Sequence, residues 1–164
     1  MLLDDALRAV EVVRSYGGAI VDVGTGGGSP GIPLAVSLPE REVVLLEAER
    51  RKCEFLERWS PPNARVVWGR AEEQELDAFG IAVAKALAQP ATALEWCLPL
   101  VRPGGVAVLW LGPSADLARV ARVAAQLGGG EPEERNGLTV VPKLAPTPAG
   151  FPRRPGAAKK RPLA

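Results

Sequence analysis

The stretch Ala19-Ile20-Val21-Asp22-Val23-Gly24-Thr25-Gly26-Gly27-Gly28-Ser29-Pro30-Gly31-Ile32-Pro33 decides how the chain folds. Ala19, Ile20, Val21 and Val23 are apolar and β-prone, a glycine-rich run follows, and Ile32, Leu34, Ala35, Val36 and Leu38 continue at helix-like spacing. The pattern predicts a strand, a tight loop and a helix start, which together open a nucleotide-binding α/β unit. Glycine allows positive φ and lets a ligand approach the main chain without a Cβ in the way. The first helical turn adds N–H groups that have no intrahelical acceptor. A small ligand is therefore expected against this loop.

Upstream, Leu3, Ala6, Leu7, Val10 and Val13 share one face of an amphipathic helix over residues 3–15, stopped by Gly17-Gly18. Downstream of the helix at 30–38, Glu42 to Glu47 reads as a short buried strand. Residues 49–59 form a helix with Cys53, Leu56 and Phe55 inward and Arg50, Arg51 and Lys52 outward. Strands are expected at 65–68, 79–86 and 106–111, a short helix at 71–76, and helices at 91–101 and from a Ser114 or Asp116 cap to Gln126. Asn136-Gly137, flanked by Glu131–Arg135 and Leu138–Leu144, is a strong hairpin signal. Strands alternating with helices imply a doubly wound α/β domain over residues 1–145, its sheet mostly parallel with a C-terminal antiparallel hairpin strand. Residues 146–164, rich in proline, read as an extended basic tail that packs on the domain or extends from it.

With 164 residues, 47% hydrophobic and 24% charged, the composition is that of one globular domain. No apolar run approaches the roughly 20 residues that span a bilayer, and Met1-Leu2-Leu3-Asp4-Asp5 lacks the basic start of a signal peptide, so a cytoplasmic protein is expected. There is no histidine, which excludes a Ser-His-Asp triad, a Cys-His pair and every histidine metal site. Cys53 and Cys97 form no CxxC pair, and no metal is expected. Net charge is only +1, yet Arg153, Arg154, Lys159, Lys160 and Arg161 fall in a tail without an acid. Trp59, Trp68, Trp96 and Trp110 are expected to be core or half-buried residues.

In a doubly wound sheet the ligand lies beyond the carboxyl ends of the strands. Asp22 with Gly24 and Gly26, Glu47, Ala71-Glu72 and Lys85 all fall at such ends. Glu47 follows the loop at about the 20-residue offset where an acid meets ribose hydroxyls. Gly26-x-Gly28-x-x-Gly31 matches the NAD pattern, but Asp22 would set a carboxylate beside a pyrophosphate. It suits a ligand that carries an ammonium and a sulfonium.

Asp22 to Leu34, then Leu45-Leu46-Glu47-Ala48 with Lys52 and Phe55-Leu56, Arg70-Ala71-Glu72-Glu73, and Phe151-Pro152-Arg153-Arg154-Pro155-Gly156 with Lys160-Arg161-Pro162-Leu163 resemble the bacterial 16S ribosomal RNA guanine-N7 methyltransferase G family, also called the glucose-inhibited division protein B family. The resemblance implies a class I methyltransferase fold that uses S-adenosylmethionine to methylate N7 of a guanine in 16S ribosomal RNA, with the small ribosomal subunit as partner. By position it implies that Gly24 and Ser29 line the methionine end, that Glu47 holds the ribose and that Ala71 and Glu72 bracket the adenine. Lys85 stands where the family has arginine, and Lys85 and Arg153 are candidate substrate contacts. Arg153, Arg154, Lys159, Lys160 and Arg161 are expected to meet RNA phosphates. Family members carry a helical, often basic region before the equivalent of Asp4, so the chain is read as shortened at its N-terminus, with Met1 where a histidine commonly stands. A homologue that binds cofactor or a partner without transfer, and a small-molecule methyltransferase, are the alternatives.

Overall fold

The computed structural model describes residues 2–164; Met1 lies outside the described residues. The elements run α1 (Leu2–Leu7), α2 (Ala9–Arg14), β1 (Ile20–Val23), α3 (Gly31–Ser37), β2 (Val43–Glu47), α4 (Arg50–Trp59), β3 (Ala64–Trp68), β4 (Phe79–Lys85), α5 (Pro90–Cys97), β5 (Val101–Trp110), α6 (Leu117–Gln126), β6 (Glu133–Arg135), β7 (Leu138–Pro142) and α7 (Ala157–Lys160). One sheet holds the strands in the order β3-β2-β1-β4-β5-β7-β6. β3, β2, β1, β4 and β5 pair in parallel, and β7 pairs antiparallel with β5 and β6.

Because side chains alternate across a strand, each buried strand feeds two cores. Ile20, Val43, Leu45, Ile81, Val83 and Val108 face α2, α3 and α4, while Val21, Val23, Leu46, Ala82, Ala107 and Leu109 face α5 and α6. The result is a three-layer α/β/α sandwich. Strand order reverses between β1 and β4, so the carboxyl ends of β1, β2 and β4 open onto a crevice.

Several elements differ from the pattern read along the chain. The first helix is interrupted at Arg8, whose guanidinium bonds the carbonyls of Asn136 (3.1 Å) and Gly137 (2.7 Å) at the hairpin turn. The helix expected at 71–76 is a single 3-10 turn, Ala71–Glu73, and Asp77 beyond it has φ 52°. β5 begins at Val101 rather than 106, but its register against β4 jumps from Val101 to Val106 across the Pro103-Gly104-Gly105 bulge, so regular pairing starts where the apolar run does. Phe55, expected inward, is 52% exposed and Trp59 is 67% exposed, because the inward stripe of α4 is only Cys53 and Leu56; Trp68, 62% exposed, ends the edge strand β3. Asp116 caps α6 by accepting from the Arg119 N–H at 3.0 Å.

The one fully buried lysine among the described residues, Lys143, follows β7. Its Nζ donates to Asp77 Oδ1, Thr147 Oγ1 and the carbonyls of Leu98 and Val101, all within 2.9 Å. With so many oxygens around it the ammonium is satisfied without water. The segment after it folds back over α5 and α6 and forms α7. Phe151 and Leu163 pack on the core beneath α5 and α6.

Candidate functional site

A cavity of about 580 Å³ opens at the carboxyl ends of β1 to β4. Its volume is in the range of small-molecule sites. Gly24, Gly26, Ser29, Glu47, Ala71, Glu72 and Lys85 line it together, and Lys159 reaches it from α7. Asp22 does not line it but lies beneath the loop. Arg153, Arg154, Lys160 and Arg161 are not among its lining residues.

The loop is built around two carboxylates. Asp22 is 1% exposed, and its Oδ2 accepts from Thr25 Oγ1 (2.6 Å) and from the Gly31 N–H (2.8 Å), closing the loop on the first residue of α3. Burial pushes the Asp22 carboxyl up to about 7, against the opposing effect of the Thr25 and Gly31 bonds. Glu47, 6% exposed, accepts from the Gly26 N–H at Oε1 (3.0 Å) and from the Glu49 N–H at Oε2 (2.8 Å). It thereby fixes the glycine loop to the entry of α4, and each oxygen keeps a lone pair for a hydroxyl donor. Gly24 has φ +65°, and a Cβ on it would collide with Leu87; a Cβ on Gly31 would meet Asp22 Oδ2 at 2.7 Å. These close approaches are what the glycines permit.

On the far side, the Glu72 side chain is 3% exposed and its Oε1 takes both Arg70 Nη2 (3.2 Å) and the Gly156 N–H (3.2 Å). Burial raises the Glu72 pKa, but the N–H groups of its own turn and of Gly156, with Arg70, outweigh it and leave it below the ordinary value. Lys85 Nζ lies 2.6 Å from Asp5 Oδ2, an ion pair without hydrogen-bond geometry, and the pair holds Asp5 below its usual range.

Among the described residues, the buried side-chain polar atoms without a hydrogen-bond partner are Asp22 Oδ1, Ser29 Oγ, Lys85 Nζ and Trp96 Nε1. Ser29, Lys85 and Trp96 line the cavity, and Asp22 underlies its loop. Since buried polar groups are nearly always paired, their concentration here marks a site made for a ligand. No group of three or more His, Cys, Asp or Glu among the described residues is placed to hold a metal, and no helix among them is long and apolar enough to cross a membrane. Cys53 and Cys97 are free and buried.

Leu87, Trp96 and Lys159 are lining residues that reading the strand ends did not supply. Leu87 had a signal, since it follows the end of β4 by two residues. Trp96 and Lys159 had none, because they arrive through the packing of α5 and of the tail.

Geometry of this kind is shared by many proteins, and likeness to known ones narrows it. The family model for rRNA small subunit methyltransferase G (GidB) matches residues 1–127. The chain belongs to this family. It is 38% identical over 181 residues to the ribosomal RNA small subunit methyltransferase G of Pelotomaculum thermopropionicum, covering 97% of this chain and 76% of that one. The methyltransferase G of Moorella thermoacetica is 34% identical over 183 residues, covering 99% and 76%. In fold the chain is similar to human N-acetylserotonin methyltransferase, solved with SAM (TM-score 0.68, 10% identity, 86% of this chain and 51% of that one). It is also similar to the Thermus thermophilus 16S rRNA N2 G1207 methyltransferase, solved with AdoMet and guanosine (TM-score 0.64, 19% identity, 90% and 40%). The chain thus has the class I methyltransferase fold, mostly parallel with one antiparallel hairpin.

Proposed function

We propose that the chain uses S-adenosylmethionine to methylate N7 of a guanine in the RNA of the small ribosomal subunit. The observation that carries the reading is the clustering of Ser29 Oγ, Trp96 Nε1 and Asp22 Oδ1, buried without a hydrogen-bond partner, around a cavity whose glycine loop and Glu47 are already preorganised. When bound, the cofactor would supply a methyl group on a sulfonium.

Gly24, Gly26 and Ser29 would hold the methionine end, Glu47 would accept from the ribose hydroxyls, and Ala71 with Glu72 would flank the adenine. Asp22 keeps the loop closed beneath the end where positive charge would lie. Lys85 closes the cavity against Asp5. Guanine N7 offers a lone pair and carries no proton, so the residues need to align the two reactants rather than accept a proton. Alignment of that kind supplies on the order of 7–11 kcal/mol in favourable cases. A chain without histidine suits the reaction.

RNA in A-form hides guanine N7 in a deep groove, so the target guanine must be unpaired, bulged or flipped. Arg154, Lys160 and Arg161 are exposed and outside every ion pair among the described residues, and Lys159 stands at the cavity rim. They form a cationic margin for phosphates.

Incubation with methyl-labelled S-adenosylmethionine and small ribosomal subunits is expected to label the RNA, and strand scission specific for N7-methylguanine should map to a single guanine. Cofactor binding without transfer to any RNA supports a non-catalytic homologue, and label competed away by free nucleosides supports a small-molecule enzyme; either refutes the proposal.

A further inference from the structure

The C-terminal tail touches the body through two buried carboxylates. Glu95, on α5, is fully buried and accepts from Arg153 three times: from the backbone N–H (3.1 Å) and Nε (2.8 Å) at Oε1, and from Nη2 (2.6 Å) at Oε2. This is the bidentate fork that arginine forms with a carboxylate, with a main-chain donor added. Three residues on, the Gly156 N–H bonds Glu72 in the cavity wall, and Thr92 Oγ1 bonds the Ala158 carbonyl. Ala158 is 1% exposed, which seats α7 on α5 and turns Lys159 to the cavity rim.

We propose that the C-terminal tail is a wall of the cofactor cavity and that Arg153 is the positioning residue that holds it there. The inference rests on the cofactor reading above. Arg153 has its guanidinium committed to Glu95 and acts through Gly156 and Glu72, whereas the cations beyond it remain free. Because Glu72 lies between the tail and the cavity, docking of the tail and occupancy of the cavity are coupled, and the coupling is reciprocal: each favours the other by the same factor.

The test measures both directions on the full chain with S-adenosylhomocysteine as probe. Arg153→Gln is expected to weaken binding about tenfold by calorimetry, within the usual range of coupling between sites; Arg153→Lys, which keeps the charge but loses the fork, should fall between. In the unaltered protein, saturating S-adenosylhomocysteine should slow tryptic cleavage after Lys159 and Lys160 by a similar factor, and Arg153→Gln should abolish that protection. If Arg153→Gln fails to fold because Glu95 is left buried without its partner, the double variant Glu95→Met with Arg153→Met, which removes both charges, carries the same expectation. Unchanged affinity in the variants, or ligand binding without protection of the tail, overturns the proposal and leaves the cofactor reading standing. Loss of RNA affinity alone would assign Arg153 to phosphate and also overturn it. No binding of S-adenosylhomocysteine by the unaltered protein overturns the cofactor reading and this inference together.

Discussion

Replacing Glu47 by alanine removes one side chain that does two things. Its Oε1 and Oε2 accept from Gly26 and Glu49 at 3.0 and 2.8 Å, and the same oxygens would receive the ribose hydroxyls. Hydrogen bonds to a charged group are worth about 1.5–3 kcal/mol each. Losing two such bonds to the ligand corresponds to about 3–6 kcal/mol, and because the loop is loosened in the free protein as well, the lower end is the expected net loss. With tenfold per 1.4 kcal/mol, the dissociation constant for S-adenosylhomocysteine should rise by about two orders of magnitude. Glu47→Gln should sit between, since its amide turns a donor toward one of the two N–H groups. Calorimetry gives the affinity, and the 2′-deoxy analogue of the ligand gives the cause. Unaltered protein should bind the analogue more weakly than the parent, whereas Glu47→Ala should hardly distinguish them. A dissociation constant within threefold of the unaltered value, or equal discrimination in both proteins, refutes the assignment.

Two further expectations test the loop. Asp22 has a carboxyl raised to about 7 in the folded protein, above its value of 3.8 in a free chain, so its contribution to stability is complete below about pH 4 and is lost as pH rises through 7. Thermal unfolding should therefore show a decline between about pH 4 and 7 that levels off above 7, on the order of a few kcal/mol at most, and that Asp22→Asn flattens; an identical slope in both proteins refutes it. Gly31→Ala places a methyl group against Leu45 and 2.7 Å from Asp22 Oδ2. Overpacking of this kind costs about 1–3 kcal/mol, read as a lower midpoint in denaturant, and an unchanged midpoint refutes the crowding.

The parallel sheet was legible because its strands carry continuous apolar runs with sharp ends, Val43 to Leu46 between Glu42 and Glu47, and Val106 to Leu111 between Gly105 and Gly112. The cavity was legible for the same reason: once strand order is known, Gly24, Glu47, Ala71 and Lys85 must meet at one end of the sheet. Composition could not show the path of the tail. Proline-rich, basic residues read as extended, yet here they are held by Glu95 and Glu72, two acids whose partners lie 58 and 84 residues away in the chain. Nor could periodicity place Phe55 and Trp59, which are apolar in type but fall outside the narrow stripe that α4 turns to the sheet, or Trp68, which ends the edge strand β3.

The hairpin after α6 also determines how the sheet meets its surroundings. Every open sheet has two margins with unpaired main-chain groups, and either could recruit a strand from another molecule. At one margin stands β6, only three residues long and made of Glu133, Glu134 and Arg135, a charged and abbreviated border that repels such recruitment. At the other stands β3, where Arg65 is paired with Glu42 and Arg50 lies over the Trp68 ring at 5.6 Å. Guanidinium groups thus guard the longer border, and both edges of the sheet are defended by charge rather than by a covering helix.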